Sequence, residues 1–212
     1  EKQASCRVKI KVCHVVSGDL WAGAESMSYN LIKGLALRGD TEVTVIVLNR
    51  GGLLDRLCQC GVRVHLIEES RNTFREIAFK AAKVLAECTP DVVHAHRYKE
   101  NLIAFVATRF GATKARLVTT LHGLPECGKR EVLVERVKYV ADALVVGRFF
   151  DMAVAVSEDI RRVMRERRSI SAVRLEVIHN GIDLDEHLHA RTSRQTVLIS
   201  SAGRLFPVKD YA

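Results

Sequence analysis

The sequence predicts an α/β protein whose sheet is mostly parallel and is covered by helices on both faces. Strand-like runs alternate with segments of helical periodicity through most of the chain, which is typical of βαβ units. Runs such as 44–48 are apolar on both sides, which favours strands buried under helices on each face. With 212 residues and 48% hydrophobic content, the chain can fill a sizeable core. We therefore expect a Rossmann-like fold.

The predicted strands are short runs rich in β-branched residues, and they end at loops that contain glycine or polar residues. They lie at 8–16, 42–48, 62–67, 91–95, 115–121, 152–156, 174–178 and 196–202. Helices are expected at about 24–38, 72–87, 101–110, 131–146 and 157–167. This alternation gives each strand a helical crossover to the next in most of the chain.

Hydrophobic spacing predicts which helix residues face inward, and terminal residues predict where the helices begin and end. The expected inward residues are Met27, Leu31, Leu35, Phe74, Ile77, Ala81 and Val84. Gly39 is expected to close the first helix in a left-handed conformation, and Pro90 to stop the second. Ser157 is expected to cap the helix at 157–167.

Charge and cysteine content limit the classes of partner and compartment. The formal net charge of +8 points to anionic partners: nucleic acid, anionic lipid headgroups or phosphorylated small molecules. Much of this charge lies at 161–168, where a solvated helix face is the favoured interpretation and a membrane-surface patch is the alternative. The six cysteines have no zinc-type or redox-type spacing, so we read them as reduced thiols of a cytoplasmic protein.

Membrane and secretory segments are not predicted. The longest apolar stretch is interrupted by Asp142 and Gly147, which leaves it shorter than the roughly 20 residues of a membrane span. No charged segment followed by an apolar one opens the chain, so no secretory signal is visible. Any membrane association is therefore expected to be peripheral, on an anionic surface.

Polar residues follow the carboxyl ends of the predicted strands, where an open parallel sheet binds its ligands. They are His94, His96, Arg97, His122, Ser157, His179, Asn180, Arg204 and Lys209, and the loop with Gly23 lies at the same edge. Four of the eight histidines lie at this edge, which favours a site there. The loop from Gly18 to Gly23 precedes a helix and can offer backbone N–H groups to a phosphate. Its spacing does not match the dinucleotide-binding fingerprint, and a purely structural turn is an equal alternative.

Two patterns resemble metal sites. His94 and His96 share one face of a strand edge, and together with His122 they would make a zinc site with a hydrolytic water. No carboxylate completes that set, so histidines satisfied by hydrogen bonds are the favoured interpretation. Asp183 and Asp185 form a D-x-D pattern, for which capping or a hinge is favoured. We therefore expect no metal.

Arg204 and Lys209 follow the last predicted strand and form a cationic pair that suits a diphosphate. The strand that carries them has no domain of its own within the 212 residues. The polar segment at 186–195 is the best candidate for a linker. We therefore predict a first domain at 1–185, a linker at 186–195 and the start of a second domain at 196–212, and leave open whether the truncation is natural.

The motifs, taken in order, resemble the retaining glycosyltransferases of family four, which have the GT-B architecture of two Rossmann-like domains. The matching stretches are 14–25, 90–96, 119–123, 153–157, 177–183 and 202–209. Each stretch alone is weakly specific, but together they follow the order of the family over nearly the whole chain. The resemblance implies that this chain contains the acceptor-side domain and the start of the donor-binding domain.

The resemblance also implies roles for individual residues. Gly23, Arg204 and Lys209 would contact the donor diphosphate, and His122 would lie beside the transferred sugar as the catalytic residue. The candidates for the acceptor and the cleft are Glu25, His96, Arg97, Ser157 and Asn180. The donor would be a nucleotide-diphosphate sugar and the acceptor a glycan or a lipid-linked molecule, with no cofactor, no metal and no nucleic acid.

Two other functions stay open at this point. One is a metal-dependent hydrolase that uses His94, His96 and His122, and the other is a non-catalytic module that binds an acceptor. In family four a second domain supplies two glutamates that contact the sugar and the ribose, and they do not occur within this chain. We therefore expect these 212 residues by themselves to be inactive.

Overall fold

The structure is a computed structural model that describes residues 9–19, 21–123, 133–166 and 174–182. These residues belong to one compact unit, Glu1–Ile182, and a second unit covers Asp183–Ala212. The predicted linker, the strand at 196–202, Arg204 and Lys209 lie outside the described residues, as does the D-x-D pattern. Among the described helices, none has the length and apolar character that crossing a membrane requires.

Strands and helices alternate along the described chain. The strands are β1 (Ile10–Val16), β2 (Thr41–Val47), β3 (Arg63–Leu66), β4 (Val92–Ala95), β5 (Arg116–Leu121), β6 (Met152–Ala155) and β7 (Arg174–Val177). The helices are α1 (Gly23–Leu37), α2 (Gly52–Gln59), α3 (Phe74–Cys88), α4 (Tyr98–Phe110), α5 (Leu133–Phe149) and α6 (Glu158–Glu166), with one 3₁₀ turn at Glu69–Arg71. The predicted α/β fold is confirmed.

The seven strands form one parallel sheet in the order β3-β2-β1-β4-β5-β6-β7. The chain runs outward from β1 to β3 and then returns to place β4 on the other side of β1. The boundary between β1 and β4 is therefore the switch point at which sheets of this type form a crevice. In the β1–β4 register, His14 lies opposite His94.

The sheet separates two groups of helices because successive strand residues point to opposite faces. On one face, residues such as Val15 and Val93 pack with α3, α4, α5 and α6 in the larger apolar cluster. We call this the apolar face. On the other face, Val16 and β2 pack with Ile32 of α1 and with Leu53 and Leu57 of α2.

Two details of the helices differ from the sequence-based expectation. Helix α2 was not predicted, because its eight residues carry only two buried positions, Leu53 and Leu57, one turn apart. Gly39 does not adopt a left-handed conformation, and α1 ends instead at Arg38 in an extended conformation (φ −76°, ψ 131°). The predicted capping glycine was therefore wrong.

The inward faces of α1 and α3 were predicted unequally well. In α3, Ile77, Ala81 and Val84 are buried as expected, whereas Phe74 at the first turn is 44% exposed. In α1, Leu31 is exposed, and the buried residues are Glu25, Ser28 and Ile32. The buried face of α1 thus includes two polar positions, which a hydrophobic pattern cannot reveal.

The loops that follow β1 and β2 approach each other closely, and glycine permits this approach. Gly18 has φ 85°, and a Cβ atom there would lie 3.0 Å from Val47 Cγ1. Gly51 has φ 156°, and its Cβ would lie 2.5 Å from the Gly18 carbonyl oxygen. A side chain at either position would push the loop away from the edge where α1 begins.

Candidate functional site

Four polar side chains meet at the carboxyl ends of β1, β4 and β5. His96, the residue after β4, lies at their centre. Its Nε2 is 3.2 Å from Nδ1 of His14 on β1, and its Nδ1 is 3.2 Å from Oγ of Ser28 on α1. The same Nδ1 is 3.1 Å from Nε2 of His122, the residue after β5. One imidazole therefore connects the two central strands, helix α1 and His122.

A fourth histidine lies beneath this group. His94 precedes His96 by two residues, so the two rings stack with centroids 4.4 Å apart. Its Nε2 is 2.8 Å from Oγ1 of Thr120 on β5, and the His14 ring lies 5.0 Å from it. We call His14, His94, His96, Thr120 and His122 the histidine face, because they share the side of the sheet that faces α1.

Burial keeps these histidines neutral. Loss of hydration, followed by the charge of His94, lowers the pKa of His14 and His96 well below the ordinary value. Burial also lowers the pKa of His94 to about 4, with His122 as the smaller cause. The pKa of His122 falls to about 4 through burial and then through the charge of Arg97. At neutral pH the rings therefore carry no positive charge and form hydrogen bonds as neutral groups.

Two carboxylates lie next to the histidine face. Glu25, in the first turn of α1, is 4% exposed and pairs with Arg97, which directly follows His96. Glu100, on α4, is 1% exposed and accepts a hydrogen bond from the Ser17 hydroxyl. Burial raises the pKa of Glu100. Arg97 is therefore already paired in this structure, and its cation is not free to meet a ligand without competition from Glu25.

Several buried polar atoms at this edge have no hydrogen-bond partner among the described residues. They are Nε2 of His14, Oε2 of Glu25, Oε2 of Glu100 and Nδ1 of His122. Glu25 and Glu100 line one small cavity together with Ser17, Ser28 and His96. Buried polar atoms are normally paired, so such a concentration of unpaired ones marks a place where water or a ligand completes the structure.

The N-terminus of α1 opens at the same edge. The residue before its first turn is Ala22, whose side chain cannot cap the helix, so within the described residues no capping side chain accepts from the first backbone N–H groups. A Cβ atom at Gly23 would meet nothing within 4 Å, so the space beside this turn is open. Free N–H groups and the positive end of the helix dipole together favour an anionic group at this position.

The predicted site residues fall into three groups. Glu25, His96, Arg97 and His122 lie together at the switch point, beside the helix that Gly23 begins. Ser157 follows β6, and its Oγ accepts the Ile160 N–H at 3.3 Å, which confirms the predicted cap. Asn180 is exposed after β7, two strands from β5 and hence roughly 10 Å along the edge. Arg204 and Lys209 lie outside the described residues.

Several residues of this cluster were not predicted as site residues. They are His14, Ser17, Ser28, Glu100 and Thr120. His14 and Thr120 lie within strands, where isolated polar residues look like ordinary tolerated positions. A usable signal was the spacing of Glu25 and Ser28, which are three apart and so share one face of α1.

The histidines that lie close enough together to share a metal ion differ from the predicted set. The ligating atoms of His14, His94 and His96 all lie within 4.8 Å of one another, so His14 takes the place expected for His122. The His96 ring is stacked on His94 at 26°, whereas its Nε2 faces Nδ1 of His14 at 3.2 Å. Tetrahedral coordination needs the in-plane lone pairs of all three rings to converge on one point, which the stacked rings of His94 and His96 do not provide. This geometry favours hydrogen bonding.

The basic helix α6 neutralises part of its own charge. Arg161 pairs with Glu158 at 2.6 Å, and Arg162 pairs with Asp159 at 2.7 Å, each one turn apart. These contacts favour the interpretation of a solvated helix face. Residues 167 and 168 lie outside the described residues, so the complete basic segment is not seen.

A parallel sheet with a polar crevice at its switch point defines the Rossmann-like α/β class, here as the N-terminal half of a GT-B architecture. The sequence profile named Glycosyltransferase Family 4 matches residues 21–186, which is most of the chain. The chain therefore belongs to glycosyltransferase family 4, as its motifs predicted. No protein of curated function matches the sequence.

Solved structures share the fold at low sequence identity. HepE from Anabaena, solved in complex with UDP, is 17% identical, with a TM-score of 0.66 over 83% of this chain and 45% of that one. A glycosyltransferase from Rickettsia africae is 21% identical, with a TM-score of 0.65 over 85% and 46%.

A UDP-N-acetylglucosamine 2-epimerase from Rickettsia bellii also matches, at 17% identity and a TM-score of 0.51 over 79% of this chain and 44% of that one. The chain thus spans less than half the length of each of these structures. Because an epimerase and glycosyltransferases share this fold, the likeness alone does not assign the reaction.

Proposed function

We propose that this chain forms the acceptor-side lobe of a retaining glycosyltransferase, which transfers a sugar from a nucleotide-diphosphate sugar to a glycan or a lipid-linked acceptor. The observation that carries the proposal is that the uncapped start of α1 and His122 share one edge, with His96 between them. Family membership supports the reaction class. The UDP in the HepE complex supports a nucleotide diphosphate as the donor group.

In the proposed reaction, loss of the nucleoside diphosphate builds negative charge on the leaving oxygen. Backbone N–H groups at the start of α1, beside Gly23, would stabilise this charge together with the helix dipole. Arg204 and Lys209, which lie outside the described residues, stay predicted contacts of the diphosphate. We further propose that the transfer requires neither a metal ion nor another cofactor.

His122 is proposed to lie beside the transferred sugar as a neutral hydrogen-bonding group. Its lowered pKa, about 4, means that it would not act as a cation at neutral pH. Glu25, His96 and Arg97 would form the wall of the cleft nearest to it. Ser157 and Asn180, further along the edge, would lie towards the acceptor.

The domain boundaries at 185 and 195, the inactivity of these 212 residues alone and peripheral association with an anionic membrane stay predictions. The membrane hypothesis depends on Arg165 and on residues 167 and 168, because Arg161 and Arg162 have partners within α6.

A titration of the ¹⁵N-labelled chain with UDP-glucose tests the proposal. We expect the amide signals of Gly23 and Ala24 and the side-chain signals of His122 to shift together at millimolar ligand. Weak binding is expected because the cationic pair belongs to the second domain. Inorganic phosphate should move the α1 signals more than those of His122, since it lacks the sugar that would lie beside His122.

Matched variants sharpen this titration. His122→Ala should weaken the response to UDP-glucose, whereas His179→Ala, which removes a histidine after β7 at the same edge, should leave it unchanged. Shifts confined to another surface, or equal effects of the two variants, would contradict the assignment.

A metal-dependent hydrolase is the second candidate, because the ligating atoms of three histidines lie close together. Stoichiometric zinc in the purified chain, lost in a His14→Gln variant, would support it, and metal-free protein after purification with added zinc would remove it. Binding of a glycan without any response to UDP-glucose would instead favour a non-catalytic acceptor-binding module.

A further inference from the structure

The hydrogen bonds around His96 have a defined direction, and Ser28 is the residue that sets it. The Ser28 hydroxyl donates its one hydrogen to the carbonyl oxygen of Ala24, at 2.9 Å. Toward His96 Nδ1, 3.2 Å away, the same oxygen can therefore only accept. His96 Nδ1 must consequently carry a proton.

The directions of the other hydrogen bonds of His96 follow from this proton. His96 is neutral, so its Nε2 has a free lone pair, which accepts the Nδ1–H of His14 at 3.2 Å. On the other side, the proton on His96 Nδ1 faces Nε2 of His122 at 3.1 Å. Two protons cannot share that short gap, so Nε2 of His122 is the acceptor. The His96 N–H is thus shared between Ser28 and His122.

We propose that His96 is a positioning residue that holds His122 in the neutral tautomer with its proton on Nδ1. Ser28 sets the direction of the hydrogen bonds that run from His14 through His96 to His122. The relevance of this tautomer for sugar binding rests on the proposed function.

The tautomer decides what His122 can recognise. With Nε2 occupied by His96, the remaining polar atom of His122 is Nδ1, which is buried and has no partner among the described residues. In the proposed tautomer this atom is a donor, which suits the lone pairs of a hydroxyl or phosphate oxygen. In the other tautomer it would be an acceptor, and a phosphate oxygen would be repelled.

The state of each ring can be measured without any ligand. In the chain labelled with ¹⁵N-histidine, long-range ¹H–¹⁵N correlations at pH 7.5 distinguish protonated from unprotonated ring nitrogens. We expect a protonated Nδ1 and an unprotonated Nε2 for His96 and His122. A proton on Nε2 of His122 in the unmodified chain would overturn the proposal directly, because free histidine prefers that tautomer.

Three variants separate positioning from simple packing. In His96→Asn the amide nitrogen replaces Nδ1 as a donor, so His122 should keep its proton on Nδ1. In His96→Ala no donor remains, and the proton should move to Nε2. Ser28→Ala removes the acceptor that fixes the direction, so His122 should show a mixture of both tautomers.

Folding of each variant is checked by its amide spectrum away from the cluster. If His96→Ala did not fold, Ser28→Ala would decide, since it removes only one hydroxyl group. A proton that stays on Nδ1 of His122 in every folded variant that lacks the donor or the Ser28 hydroxyl would overturn the proposal. Because no ligand is present, the result is independent of the UDP-glucose titration, and either proposal can fail alone.

Discussion

Strands β1, β4 and β5 place chemically opposite residues on their two sides. Toward α3 and α4 they bury side chains such as Val15 and Ala95 in the larger apolar cluster. Toward α1 the alternate positions bury His14 and His94, and the strand exits add His96. The same backbone therefore supports an apolar face and the histidine face, separated only by the thickness of the sheet.

The two faces differ in how they contribute to stability: the apolar face contributes at any pH, and the histidine face contributes in a pH-dependent way. Buried apolar groups stabilise the fold at any pH, by about 25 cal/mol for each Å² removed from water. Buried imidazoles stabilise it only while they are neutral and hydrogen-bonded, because burial of an unpaired charge is costly. A cluster with this cost at the switch point of the sheet is expected when the edge has a function.

The largest expected effect is a loss of stability in acid that comes from the histidine face. Folding lowers the pKa of all four rings of this face, and three of them, His14, His94 and His96, are buried. The contribution of these three is complete above the unfolded pKa of about 6.5 and falls as the pH drops below it. Each ring should contribute a loss of about 1.4 kcal/mol per pH unit, or about 4 kcal/mol for the three at pH 5.5. Urea unfolding between pH 7.5 and pH 4.5 measures this dependence.

A variant of one ring tests the assignment. His94→Gln keeps a polar group beside Thr120 but cannot be protonated, so the pH dependence between pH 6.5 and 5 should decrease by about one proton. An unchanged slope in this variant would show that groups outside the histidine face control the acid transition.

The second effect has the opposite sign and comes from the other side of the sheet. Asp142 on α5 accepts a hydrogen bond from the Asn101 amide at 2.9 Å, and burial raises its pKa to about 6. Since its folded pKa lies above the unfolded value, ionised Asp142 opposes folding, and stability falls as the pH rises from about 4 to about 6. Asp142→Asn keeps the acceptor oxygen and should stabilise the protein by about 2–3 kcal/mol at pH 7.5.

The pH dependence of the stabilisation by Asp142→Asn tests whether it arises from the ionisation of Asp142. Near pH 4.5 the gain should shrink to about 1 kcal/mol, because Asp142 in the folded protein is then mostly protonated and only the unfolded chain still ionises this side chain. A gain of equal size at both pH values would mean that Asp142 is ionised normally in the folded protein and that the substitution acts through packing.

The smallest effect compares the two faces within one strand. Thr119 is fully buried on the apolar face, and its Oγ1 has no partner among the described residues, whereas Thr120 on the histidine face bonds His94 at 2.8 Å. Thr119→Val should therefore stabilise the protein by about 1 kcal/mol, and Thr120→Val should destabilise it by about 1–2 kcal/mol. Chemical unfolding at pH 7.5 measures both, and effects of the same sign would contradict the division into two faces.

The site residues at the strand exits could be predicted from the sequence, but their hydrogen-bond partners could not. His96 and His122 were identified because they follow strand-like runs, and carboxyl ends of parallel strands meet at one edge. His14 was missed because it lies inside β1, and Ser28 because it belongs to a helix whose apolar stripe pointed to Leu31 instead. Of the predicted inward residues of α1, Leu35 packs against the core, whereas Leu31 is exposed. The buried positions Glu25 and Ser28 are polar, so a pattern based on hydrophobicity could not reveal them.

Local periodicity by itself determined the alternation of strands and helices, the parallel sheet and the edge at which polar residues collect, since these depend on neighbours within a few positions of the chain. The tertiary structure alone decided that His14 meets His96, 82 positions away, and that Ser28 approaches them from above the sheet. These contacts depend on the β1–β4 register and on the rotation of α1 about its axis, which arise only when distant segments pack together. Hydrogen-bond direction, and with it the chemistry of His122, follows from that packing.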